Sequence, residues 1–140
     1  MVIIIFGTDQ IFKDKATWWA ATCTSARKGK VEVVHRPTAF LDVIHNGSKA
    51  LFWARYVTIL KNSENSEDSI IFDFSLLDYL WEAEKSHTNS PEFQKNIMRN
   101  IKPSYMFYLA DDTENHDSLV DFLHSLGVPF FDVTEAVKLA

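Results

Sequence analysis

Acidic side chains recur where the apolar runs of this chain end, and that spacing is the first place to look for chemistry. Asp9 follows the run 2–6, Asp73 lies in the run 69–74, Asp111 and Asp112 follow the run 105–110, and Asp132 lies in the run 128–133. His35 and Arg36 close a further run, 31–35, and Gly7, Thr8 and Ser75 flank these positions. Carboxylates brought together from several strands suit a hard cation such as Mg²⁺, which prefers oxygen ligands. Crowded carboxylates also separate their pKa values and so serve as general acid and base. A third role is purely structural, because Asp is a favoured helix N-cap and every strand-to-helix turn leaves backbone N–H groups to satisfy. The sequence leaves all three open.

For catalysis the candidates are Asp9 and His35 as the base. Gly7, Thr8, Arg36, Asp73, Ser75 and Asp111 are the candidate ligand-binding residues, with Arg36 as an anion clamp and Ser75 as a hydrogen-bonding group. No metal ligands are assigned, and Mg²⁺ is the one cofactor the residue types would suit. Dinucleotide and P-loop fingerprints need glycines at fixed spacings, and the chain has only 4 glycines in all. The histidines form no His-x-x-x-His pair and Cys23 has no second cysteine, which gives zinc little support. Cys23 is expected as a small buried hydrophobe on the first helix. The basic stretch Arg27-Lys28-Gly29-Lys30 fits a helix C-terminus, and a net charge of −5 argues against a nucleic-acid partner.

The elements that must position these residues follow from periodicity. Consecutive apolar residues at 2–6 fit a strand covered on both faces, as in a parallel sheet. Further strands are expected at 31–35, 69–74, 105–110 and 128–133. Helical spacing of Phe12, Ala16, Trp19, Ala20 and Cys23 sets a first helix over 11–27, capped by Thr8 or Asp9. More helices are expected from 37 to about 45, over 49–61, 75–85, from 90 to a stop before Pro103, before Gly127, and over 134–139, with a polar linker at 62–68. This alternation predicts one domain, 1–140, built as a three-layer α/β/α sandwich on a parallel sheet of about five strands, flavodoxin-like or SGNH-like. All strands then end on one rim, where open α/β sheets bind ligands.

The blocks Ile5-Phe6-Gly7-Thr8-Asp9, 69–78 and 127–133 together resemble the SGNH, or GDSL-like, hydrolases. The resemblance implies a three-layer α/β domain, a nucleophilic serine in the first turn, oxyanion-hole groups in later turns, and a catalytic Asp and His near the C-terminus. The chain departs from the pattern at two points. Gly7 is followed by Thr8 and Asp9 in place of the serine, and Asp132 by Val133, Thr134 and Glu135 in place of Asp-x-x-His. A serine nucleophile without a base has little drive at neutral pH. The resemblance therefore implies a truncated or non-catalytic relative, or a hydrolase- or transferase-like protein working with other residues.

The leading expectation is a small-molecule ligand at the rim. The alternative is a non-catalytic interaction module acting as a homodimer. It rests on an aromatic content of 14% and on Trp18, Trp53 and Trp81, which fall off or beside the core stripes of their helices. No membrane span and no signal peptide are read, so the expected setting is cytoplasmic.

Overall fold

The fold is that of a computed structural model, which describes residues 1–35, 58, 61, 67–88, 90–99, 101–102 and 104–140. The helices expected within 37–61, except residues 58 and 61, lie outside the described residues, as do linker positions 62–66, Arg36 and Trp53.

Val2–Phe6 forms β1, and all five of its residues are buried. Such a strand needs a neighbour on each side and a helix layer over each face. Both conditions are met. The sheet comprises β1, β2 (Val31–Val34), β3 (Ser69–Phe72), β4 (Met106–Leu109) and β5 (Phe131–Asp132), in the order β2-β3-β1-β4-β5. Every pairing is parallel, with Ile3 opposite Ile71 on one side and opposite Met106 on the other. The expected parallel sheet is therefore present. Its order differs from the flavodoxin order, 2-1-3-4-5, because β3 stands between β2 and β1.

Alternation along β1 assigns the two faces. Ile3 and Ile5 join Phe12, Ala16 and Ala20 of α1 (Gln10–Lys28) and Val137 of the C-terminal helix in one apolar cluster. Val2, Ile4 and Phe6 join the other cluster, under α2 (Leu76–Lys85), α3 (Pro91–Met98) and α4 (His116–Leu126). The C-terminal helix is α5 (Thr134–Leu139). The chain thus leaves β1 over one face and leaves β3 and β4 over the other, which makes the carboxyl end of β1 the switch point of the sheet.

Two expectations are corrected. Cys23 is exposed, not core. The buried face of α1 carries Phe12, Lys13, Ala16, Thr17, Ala20 and Thr24, a stripe rotated away from Cys23 by polar residues that the apolar pattern skipped. The last strand is also shorter than 128–133. Only Phe131 and Asp132 pair, because Val128 N bonds back to Leu123 O at 3.2 Å and Pro129 has no N–H to give the ladder. Among the described residues, no helix is long and apolar enough to cross a membrane.

Candidate functional site

The rim residues fall into three groups. The first joins the loop after β1 to the loop after β4. Ala110 N donates to Phe6 O at 2.9 Å, which draws the two strand ends together. Gly7 is required at this approach, since a Cβ there would lie 2.0 Å from Ala110 O. Asp111, fully buried, then accepts from both loops. Its Oδ2 takes the Thr8 N–H at 2.7 Å and the Thr8 hydroxyl at 2.5 Å. Its Oδ1 takes the Thr113 N–H at 2.8 Å and the Thr113 hydroxyl at 2.5 Å. Asn115 adds a bond from Nδ2 to Thr8 Oγ1 at 3.3 Å. Burial works against the charge on Asp111, but the bonds from Thr113 and Thr8 outweigh it and hold its carboxyl below the usual range. Asp111 is therefore an ionised lock between two loops.

The second group lies between β1 and β3. Ser75 N-caps α2 by accepting from Leu77 N at 3.1 Å, and Asp78 Oδ2 accepts from Ser75 N at 2.7 Å, which completes a capping box. The other oxygen of Asp78 faces Lys13 Nζ at 3.7 Å. Lys13 starts on α1, over the opposite face of the sheet, so its chain crosses the carboxyl edge past Gly7 to reach α2. It is only 2% exposed.

The third group sits at the β2–β3 end of the rim. Asp73 N donates to Val34 O at 3.3 Å, which sets Asp73 beside the end of β2. His35 follows Val34, and its Nδ1 lies 3.1 Å from Asp73 Oδ2. Asp73 is 1% exposed, whereas the His35 side chain is 69% exposed. A buried carboxylate on Nδ1 fixes the ring and its tautomer, with Nε2 left as the acceptor.

The rim thus brings together Gly7, Thr8 and Asp111, and separately His35 and Asp73. Asp9 and Ser75 are engaged as caps. Asp9 accepts from Ile11 N at 3.1 Å, the structural role open to it from the sequence. Arg36 is outside the described residues. Among the described residues, no three His, Cys, Asp or Glu side chains form a group that could hold a metal ion. Sequence reasoning missed Lys13, Asp78, Thr113 and Asn115. Two signals were available: Lys13 falls beside Phe12 on the buried stripe, and Asp78 is three residues after the capping Ser75.

A further pair closes the β5 end, where His116 Nε2 lies 2.7 Å from Asp132 Oδ2. No protein-family model matches the chain, and no curated protein and no solved structure matches it significantly.

Proposed function

We propose that this domain binds a small molecule at the carboxyl rim and acts on it by hydrolysis or group transfer, with His35 as general base and Asp73 as its orienting carboxylate. One observation carries the reading: buried Asp73 holds His35 Nδ1 at 3.1 Å while the ring itself stands in solvent. That division of roles is what proton abstraction by imidazole requires. Thr8 and Gly7 lie on the same rim, two strands away, at the carboxyl end of β1. The likeness to SGNH hydrolases supplies the reaction class alone, and the setting we take for this activity is the cytoplasm, with no resident cofactor.

The test is a thermal-shift and turnover screen with acyl esters, nucleotides and Mg²⁺. A compound that is turned over should lose about 100-fold or more in rate with His35→Ala, and a comparable share with Asp73→Asn, while the melting temperature stays near that of the parent. Full turnover by folded His35→Ala would refute the assignment.

A second reading, a homodimer module, is favoured by Ile11 and Trp18, which are 82% and 76% exposed and lie seven residues apart on one face of α1. Trp81 does not add to it, because its ring packs on Phe122 at 5.2 Å. Light scattering separates the readings: a dimer lost on Trp18→Asp, with no ligand shift in the screen, favours the module.

A further inference from the structure

The ring of His116 is held from both sides. Nε2 lies 2.7 Å from Asp132 Oδ2, and Nδ1 lies 3.2 Å from Asp117 Oδ1. A neutral imidazole has one N–H and can donate to only one of these carboxylates, so the imidazolium alone satisfies both. Its position otherwise opposes that charge, because His116 is the first residue of α4 and a helix N-terminus disfavours a cation. The carboxylates must therefore hold the charge in place.

Asp132 has a second task. Its Oδ1 accepts from Thr134 N at 3.1 Å, in the first turn of α5. Thr134 is buried, and its hydroxyl oxygen accepts from Asp111 N at 3.3 Å. The edge strand and α5 are thus tied to the body by side chains at two places, Asp132 to α4 and Thr134 to the end of β4, and by the backbone where Val133 N donates to Leu109 O at 2.9 Å. The rest of the backbone contribution is short, since β5 gives only two residues to the sheet.

We propose that the charge state of His116 decides how firmly the segment Phe131–Leu139 is seated. Protonated, His116 clamps Asp132 to α4 as an ion pair; neutral, it holds Asp132 only through an uncharged N–H, so the segment rests more on Thr134, on the Val133 N–Leu109 O bond and on the apolar contacts of Val133 and Val137. Of the other titratable groups on the segments meeting here, Asp111, Asp112, Glu114, Asp117, Asp121 and Glu135 are acidic, and His124, two turns along α4, stacks on Phe130 at 5.3 Å. The nearby cation, Lys138, is taken up by Glu135 at 3.3 Å. None of these competes with the imidazolium for Asp132.

The direction in pH follows. The hydrogen bond to Asp117 raises the His116 pKa most; burial opposes it, and the bond to Asp132 with the charges of both carboxylates leaves the pKa above the ordinary histidine value. The clamp is complete below the ordinary histidine value and is lost as pH rises through the raised one. Burial opposes ionisation of Asp132, yet bonds from Thr134 and His116 hold its carboxyl below the usual range, so the pair persists into mild acid.

The seating is a property of the fold and stands whether or not the rim binds a ligand. It is tested on the whole chain by following the His116 ring by NMR titration and, across the same pH range, the amide exchange of residues 133–139. His116 is expected to titrate above the ordinary histidine value. On crossing that pH, exchange in α5 should rise about 10-fold beyond the intrinsic base-catalysed increase, with β1 as the unaffected reference. In His116→Gln, α5 should exchange at the released level at every pH. The proposal fails if His116 titrates at or below the ordinary value, or if α5 protection is indifferent to its titration. Both readouts come from the unsubstituted protein, so a poorly folding variant does not remove the test.

Discussion

Asp111 does more for this rim than any residue singled out for catalysis. It was legible in the sequence as a carboxylate after an apolar run, but its partner across the sheet was not. Thr113 reaches it locally, two residues on, but Thr8 reaches it only because β1 and β4 are neighbours, and strand order is not written in local periodicity. Asp9 and Ser75 show the opposite case. Their capping roles need no tertiary knowledge, since each bonds an N–H two residues ahead. Removing Asp111 with an Asp111→Ala substitution leaves two backbone N–H groups and two hydroxyls without their acceptor. The expected cost is about 3 kcal/mol, read as a lowered urea midpoint with an unchanged slope.

At the level of elements, helices were easier to read than their faces. The α1 boundaries agree with expectation to within a residue, because Asp9 starts the helix and Gly29, at φ 83°, ends it. Its buried face was misjudged because Lys13, Thr17 and Thr24 are buried among apolar residues. Thr17 manages this by donating to Lys13 O at 2.8 Å, and Lys13 by reaching Asp78. An apolar-only pattern does not register such residues. The Asp78→Ala variant opens the capping box and strips a buried cation of its counter-charge, so it is expected to cost about 2–4 kcal/mol. Ser75→Ala, which removes the cap alone, is expected to cost about 1 kcal/mol. Chemical denaturation of the two variants side by side checks the ranking.

At the level of the whole molecule, alternating strands and helices were enough to give the layers and the parallel sense, because a right-handed crossover leaves few other arrangements. The placement of β3 between β2 and β1 was not recoverable, since nothing local distinguishes which neighbour a buried strand selects. Among the described residues, two carboxylates held below their usual range, Asp111 and Asp132, set the acid behaviour of the fold. Their contribution is complete above the usual carboxylate range and is lost as pH falls through the lowered values. Urea midpoints should therefore hold down to mild acid and then fall, and Asp111→Asn should flatten that fall more than Asp132→Asn does, because Asp111 is the more deeply buried.

The central position of β1 has a consequence for biogenesis. Its backbone partners, in β3 and β4, both come later in the chain, the second more than a hundred residues on. A ribosome therefore delivers Val-Ile-Ile-Ile-Phe, a sticky and uncharged stretch, long before either flank that will shield it. Until residues near 109 emerge, that stretch depends on transient collapse or on a chaperone, and the slow step of folding is the wait for distant loops to close around it.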